Sequence, residues 1–545
     1  MNNNQYTVKL NIDLKRERRK DLLLALISGI MFGLAFPPLP FFPLLFAALI
    51  PYFIIIEKRN SLSSINRITY FTFFIYTIIS GYWVGSWQPE ADVFLMIAGS
   101  ALLFFNPILF LIPSSLYYLA FKSFGRKTAL LLFPLFWVTS EYLYSVTDIK
   151  FPWLTTGHSL SYFNSFIQIA DIIGSFGIGI VVIYINVLFY ISYKKFVSGF
   201  KISRALYISI LLLVVPIIYG VVRTNETKSN ALKVKIGVVQ PNFNPWQKWE
   251  AGNLSDQLEL YLSLSNKEIM NGAELIIWPE TALPVYLLGG GYENVVQRIH
   301  NFCETNNVFL LTGMPHANFY FDSTKAPKDA KKTASGTYYT SYNSILLFQP
   351  GSNDVPMYGK IKLVPFGEKV PFIEQVPFLG DLIKWGVGIS SWNEGPEQKV
   401  FEISPNNKSF RIAGLVCFES IFPRFISDFV INGAELIVVV TNDSWYGDSS
   451  GPYQHKEISV LRAIENRRTV VRSANGGISC VIDKYGNTLI DTKMYTRTSF
   501  TYEAELNSEI TFYTKTANVL PVLSLIASIF VMFAFTINKL KKKIK

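Results

Sequence analysis

The sequence predicts a polytopic α-helical membrane protein with a large extracytoplasmic α/β domain inserted before its last span. Three observations predict it. Half of the 545 residues are hydrophobic and only 16% are charged, giving a mean hydropathy of +0.28; a water-soluble chain of this length is less apolar. Uncharged runs recur up to residue 222 and return once after residue 515, and about 20 mostly apolar residues suffice to cross a bilayer. Between them, short β-branched runs alternate with amphipathic stretches, the pattern of buried strands separated by helices.

Taking the elements in order, Leu22 to Ile56 carries no charge, and FPPLPFFP at 36–43 interrupts it. Two short helices joined by a proline-rich turn are expected there. Runs at 68–88, 93–121, 128–147 (charged only at Glu141), 172–193, 205–222 and 516–538 bring the expected spans to eight. The first apolar run leads straight into the second, so no cleavable signal peptide is expected. KRERRK at 15–20, EKR at 57–59, Lys122 with Arg126 and Lys127, Lys194 to Arg204 and the final KLKKKIK fall on alternate connections. The positive-inside rule places these, and both termini, in the cytoplasm and segment 223–515 outside it. Orientation in a membrane thus accounts for the net charge of +11, and no nucleic-acid partner is implied. Three units follow: a seven-helix membrane domain over 1–222, an extracytoplasmic domain over 223–515, and a last span with its basic tail over 516–545.

Within the central unit, strands are expected at 234–240, 274–280, 308–313, 344–348, 411–419, 435–443 and 470–483, and helices at 253–270, 292–306 and 454–467. Residues 318–340 are polar and read as a mobile insertion. Residues 372–393 are loop-like yet apolar and aromatic, suited to covering an apolar site or touching the bilayer.

Three strand ends carry reactive side chains. ELIIWPE ends on Glu280, YGKIKLVPFGEK carries Lys360 and Glu368, and GLVCFES carries Cys417 and Glu419. A carboxylate can take the proton of a thiol nucleophile, and a nearby ammonium favours the thiolate and the oxyanion formed on attack at a carbonyl. Cys303 and Cys480 read as small core residues. The cysteines lack the spacing of a disulfide framework and the four histidines lie far apart, so neither a metal centre nor another cofactor is expected. His455 opens a helix and reads as a structural histidine. Glu141 differs, because a carboxylate inside a span is costly and by default functional.

These residues resemble a known pattern. WPE, K-x-x-LVPFGE and the strand-borne Cys417 are similar to the Glu–Lys–Cys triad of the nitrilase (carbon–nitrogen hydrolase) superfamily. With the flanking spans, SEYLYSVTDIKFPWLTTGHSL at 140–160, QPNFNPWQKW, TNDSWYG and QHKEISVLRAIENRR, nearly the whole chain resembles the apolipoprotein N-acyltransferases. The resemblance implies an αββα sandwich, with Glu280 as general base, Lys360 as charge stabiliser and Cys417 as the acyl-thioester nucleophile. Glu368 and Glu419 would support them, and Trp249, Trp445, Phe418, Glu141 and Trp153 would border the substrates. It implies a phospholipid acyl donor, a diacylated apolipoprotein acceptor and a monomeric protein in the bilayer. Phe418 and Tyr144 depart from the family's usual tyrosine and arginine. Two rival readings are a membrane-anchored amidase, in which water resolves the thioester, and a non-enzymatic transporter or scaffold; the intact triad argues against the latter.

Overall fold

The uncharged run from Leu22 to Ile56 does not form one helix. In the computed structural model, which describes residues 2–200, 202–225, 231–248, 254–372 and 392–544, a helix runs from Asn2 to Leu34 and a shorter apolar segment follows at Phe42–Ile56. The prolines of 36–43 divide the run because they cannot sit inside a helix. Among the described residues, six helical segments are long and apolar enough to cross a membrane: Leu62–Gly85, Val93–Phe124, Arg126–Val146, Ala170–Val197, Arg204–Thr224 and Phe512–Ile544. Of the expected eight, six among the described residues are apolar enough over a spanning length; the other two fall in the 33-residue Asn2–Leu34 helix, which carries KRERRK at 15–20, and in the shorter Phe42–Ile56 segment. The segment over 93–124 is also not one regular helix; it breaks at Phe110 into Val93–Leu109 and Leu111–Phe124.

The helices pack closely where side chains are small. Gly29 lies against the Thr72 carbonyl and Gly33 against Ile79, so any Cβ there would collide with the Leu62–Gly81 helix. Glu141 is buried and hydrogen-bonded, not reaching for the interface. Its Oε1 accepts from Trp137 Nε1 (3.0 Å), the Thr156 N–H (2.8 Å) and the Thr156 hydroxyl (2.7 Å). The carboxylate ties the segment at 156 to its own helix.

The central domain is two stacked sheets. Its strands are β1 (Lys233–Gln240), β2 (Leu275–Trp278), β3 (Phe309–Tyr320), β4 (Lys331–Lys332), β5 (Tyr338–Phe348), β6 (Met357–Gly359), β7 (Val400–Ile403), β8 (Phe410–Val416), β9 (Leu436–Thr441), β10 (Thr469–Ala474), β11 (Cys480–Ile482), β12 (Thr488–Asp491) and β13 (Thr498–Glu505). One sheet has the order β13-β1-β2-β3-β5-β4 with β6 on β5, and the other β12-β11-β10-β9-β8-β7. β1, β2 and β3 are parallel, as are β8, β9 and β10. The continuous apolar runs follow from this, since a central parallel strand is covered on both faces. Ser473 on β10 donates to the carbonyls of Val239 and Ile277, joining the sheets. Helices Leu254–Met270 and Glu293–Asn306 cover the outside of the first sheet, and Pro423–Ile431 and Ser450–Asn466 accompany the second.

Two expectations are corrected. The run 470–483 is not one strand but the antiparallel pair β10 and β11, because NGG at 475–477 between them supplies a turn. Residues 318–340 are not an unstructured insertion: β3 and β5 pair without a break from Leu310–Phe348 out to Tyr320–Tyr338, and β4 adds to the edge.

The two parts are joined by buried polar contacts. Gln454 accepts from Trp83 Nε1 (3.0 Å) and Trp153 Nε1 (2.9 Å) and donates to the carbonyls of Pro37 and Ser80 (2.9 Å each). Asp171 binds Arg467 (2.6 Å) and Arg223 (3.2 Å). The Ala170–Val197 helix kinks at Gly174, whose φ of 66° and contact with the Tyr513 ring leave no room for a side chain. Just past the kink, Glu465 of the central domain accepts from the Ser175 N–H at 2.8 Å, a carboxylate placed where a helix start favours one.

Candidate active site

β2, β6 and β8 each end at the same end of the sandwich, and each delivers one reactive residue there. Glu280 follows β2. A Cβ on Gly313 of β3 would lie 2.6 Å from Glu280 Cα and 2.8 Å from the Pro279 carbonyl oxygen, so only glycine fits. Lys360 follows β6, and its N–H donates to the Asn343 carbonyl of β5 at 2.8 Å. Cys417 follows β8 in a left-handed conformation with φ 49° and opens a 3-10 turn. Such a conformation is strained for a residue with a side chain, and here it turns the thiol off the strand into a cavity of about 110 Å³.

Glu280, Lys360, Glu368 and Cys417 all line that cavity, with Thr281, Asn343, Trp392, Asn442, Trp445 and Tyr446. Lys360 is 1% exposed and its ammonium contacts both oxygens of Glu368 (2.8 and 2.9 Å), with Glu280 Oε1 at 3.9 Å. Asn343 donates to Glu280 Oε1 (2.7 Å) and Glu368 Oε1 (3.1 Å). Two carboxylates thus share one ammonium and one amide, and a buried charge requires such partners.

Burial raises the pKa of Glu280; Lys360 lowers it, Glu368 raises it and the Asn343 hydrogen bond lowers it, leaving it above the usual glutamate value. Burial works against the Lys360 charge, but Glu368 and Glu280 outweigh this and hold its pKa above the usual lysine value. Burial and the Glu280 charge push the Cys417 thiol up, against the pull of Lys360. The resting nucleophile is therefore a thiol, and attack requires a base to remove its proton.

Glu419 lies outside the cavity. It is fully buried, and Oε1 accepts from the Tyr358 hydroxyl (2.6 Å) and the N–H groups of Ile361 (2.7 Å) and Lys362 (3.2 Å), while Oε2 accepts from the Val416 N–H (2.9 Å). It clamps the lysine loop to the nucleophile turn. Trp445 lines the cavity edge-on to Trp246 at 4.8 Å. Trp249 lies outside the described residues, as do 373–391. Phe418 packs on Phe151 (5.9 Å) and Phe422 (5.2 Å). Trp153 does not border the cavity, contrary to expectation. It is buried between Trp83 (4.7 Å), Phe151 and His455 because Gln454 holds its indole N–H inside the joint.

Several residues carry no signal in the sequence. Asn343 sits mid-strand and looks like any polar strand residue. Lys248 is buried, its Nζ has no hydrogen-bond partner among the described residues, and burial lowers its pKa to about 7, with Glu280 opposing. His455 lies within a helix, not at its start, and behind the nucleophile: Nδ1 pairs with Asp443 (2.7 Å) and Nε2 with Ser420 (2.7 Å) and the Cys417 carbonyl (3.2 Å). Arg472 completes this group on Asp443 at 2.9 Å. Ligand atoms of Cys417, Asp443 and His455 lie within 4.8 Å of one another, a grouping not visible from the histidine spacing. Both imidazole nitrogens are engaged with protein partners and Arg472 faces Asp443, a donor set that does not suit a cation.

A second cavity of about 410 Å³ adjoins the first. It shares Leu95, Val364, Gly367 and Tyr446 with it and continues along Phe94, Ala98, Leu102, Phe105, Tyr144 and Phe151. Except for the hydroxyls of Tyr144 and Tyr446 its side chains are apolar, and helix Val93–Leu109 provides one side.

Two family models match the chain: carbon-nitrogen hydrolase over residues 235–511 and apolipoprotein N-acyltransferase N-terminal domain over residues 28–188. The apolipoprotein N-acyltransferase of Chlorobaculum tepidum is 32% identical over 95% of this chain and 98% of its own length. The chain belongs to the apolipoprotein N-acyltransferase family. The enzymes of that name from Geobacter metallireducens (28% identical, 92% of each chain) and Rickettsia prowazekii (31%, 86% of this chain and 88% of that one) are similar to it as well. Among solved structures, an amidase from Nesterenkonia sp. is 15% identical over 51% of this chain and 94% of that one, at a TM-score of 0.35.

Proposed function

We propose that this protein transfers a fatty acyl chain from a phospholipid, through a Cys417 thioester, to the α-amino group of an S-diacylglyceryl-cysteine at a lipoprotein N-terminus. The observation that carries this reading is the junction of the two cavities: the nucleophile opens onto an apolar groove formed partly by a membrane helix. An acyl chain suits that groove, whereas a small amide has no use for it, which disfavours the amidase. In the first step Glu280 takes the thiol proton as Sγ attacks the ester carbonyl. Lys360 stabilises the oxyanion, and Glu280 returns the proton to the departing lysophospholipid alcohol. In the second step the amine attacks the thioester, Glu280 receives its proton, and collapse gives the amide and the free thiol. The test is the mass of the purified protein after incubation with phospholipid. One acyl chain should appear on Cys417, persist in water, and move to a diacylated peptide on its addition. Rapid loss to free fatty acid without the peptide would favour the amidase.

The base assignment gives a pH dependence. Glu280 must be ionised to accept the proton, so acylation falls on acidification, and the raised pKa starts that fall above the range of an exposed glutamate. Asn343→Ala removes a hydrogen bond to the ionised carboxylate. It should move the acid limb of acyl-enzyme formation to higher pH by about one unit, as expected for a charge-assisted bond of roughly 1.5 kcal/mol.

The same reading assigns eight spans, cytoplasmic termini, an extracytoplasmic domain over 223–515 and a monomer in a bacterial inner membrane. Charge bias supports it, since Glu57, Lys194 and Arg126 gather at one end of the helices. A reporter active only outside the cytoplasm should be active when fused after Arg223 and silent after Lys127. The opposite pattern would remove the site from the outer leaflet.

A further inference from the structure

The β3–β5 hairpin projects past the sheet end that carries the reactive residues. β2 stops at Trp278, which pairs with Thr312, while β3 continues to Tyr320. Eight residues beyond Thr312, at roughly 3.3 Å each, carry the hairpin on the order of 26 Å farther. That sheet end is also the one that meets the membrane helices, through Tyr446 on Trp83 (4.9 Å) and Ser86 on the Trp445 carbonyl. The arm is braced at its root, where Asn393 donates to the Asp329 carbonyl (2.9 Å) and Lys331 to Ser341 (2.8 Å).

Its composition differs from the rest of the domain surface. Phe319, Tyr320, Phe321, Tyr338 and Tyr339 cluster along it, and Phe321 is 92% exposed. Lys325, Lys328 and Lys332 are exposed beside them, and Lys332 lies over the Tyr338 ring at 5.4 Å. The acidic residues are occupied locally: Asp322 accepts from the N–H and hydroxyl of Thr324, and Asp329 from Asn393. Aromatic rings beside lysines suit the boundary between headgroups and acyl chains, and lysines there gain from anionic lipid.

We propose that the 318–340 arm is a bilayer contact, seating Phe321 at the headgroup boundary of a membrane that contains anionic phospholipid. The occupant is lipid and not a protein because the arm extends from the end held by the membrane helices, and because an exposed phenylalanine flanked by cations complements an anionic apolar surface. The contact would hold the mouth of the site against the leaflet from which the donor comes. It depends on the membrane placement of the helices, not on acyl transfer, so its test leaves the chemistry aside.

The full chain carrying Cys417→Ala retains only the buried Cys303 and Cys480. Phe321→Cys in that background is labelled with a nitroxide and reconstituted into vesicles of phosphatidylethanolamine and phosphatidylglycerol. Met270→Cys, 81% exposed at the opposite end of the sheet before β2, is the aqueous reference. Accessibility to oxygen relative to a water-soluble nickel chelate should be several-fold higher at 321 than at 270. Combined Lys325→Gln, Lys328→Gln and Lys332→Gln should return it toward the reference. Equal ratios at the two positions overturn the proposal. So does an immobilised label at 321 shielded from both reagents, which would mark a protein contact.

Discussion

Cys417→Ala should leave neither acyl-enzyme nor N-acylated product, a loss of about 10⁶ in turnover if the removal of other nucleophiles is a guide. Among the described cysteines it alone lines the cavity; Cys303 and Cys480 are buried in the core. Cys417→Ser should be nearly as inactive. The environment already pushes the thiol pKa up, and a hydroxyl starts several units higher still, beyond what a glutamate base can usefully deprotonate. Phospholipid-dependent mass labelling distinguishes the outcomes. An acyl adduct on Cys417→Ala would place the nucleophile elsewhere and remove the basis of the proposed reaction.

Lys360→Arg should lower acylation by about 10²–10³, the usual cost of losing one well-placed oxyanion donor. The ammonium fits between two carboxylates, within 2.9 Å of both Glu368 oxygens and 3.9 Å from Glu280. A guanidinium keeps the charge but is planar and larger, so in a 1%-exposed position it must displace Glu280, Asn343 or the substrate carbonyl. Charge is retained, so the variant should fold, and a near-parental melting temperature in detergent would separate this effect from unfolding. Parental rates of labelling would show that a cation of either shape suffices and would overturn the fitted position assigned to the Lys360 ammonium.

Hydropathy is local, so the uncharged runs and the prolines of 36–43 were legible without coordinates. β8 was legible too, because a strand covered on both faces must be continuously apolar until it ends, and its end is where Cys417 stands. Glu280 was legible for the same reason, and Lys360, which follows only the three-residue β6, through its motif and the family resemblance. The length of the 318–340 hairpin was not: its centre, DSTKAPKDAKKTASG, is polar because it lies outside the core, which a sequence cannot distinguish from disorder. Nor was Trp153, whose aromatic character fits a substrate wall as well as a packed joint.

What the sequence determined by itself is thus the kind of chain this is, the family it resembles and the strand ends that carry its reactive groups. Tertiary structure alone decided how those groups are tuned and joined. Asn343 reaches Glu280 across 63 positions, His455 meets the Cys417 carbonyl across 38, and Gln454 reaches Pro37 across 417. Glu141 Oε1 gained two of its three hydrogen-bond donors only when Thr156 folded back onto it. Hydrogen bonds between distant residues leave no period in the sequence, because their energy depends on where folding brings two atoms and not on how far apart they lie along the chain.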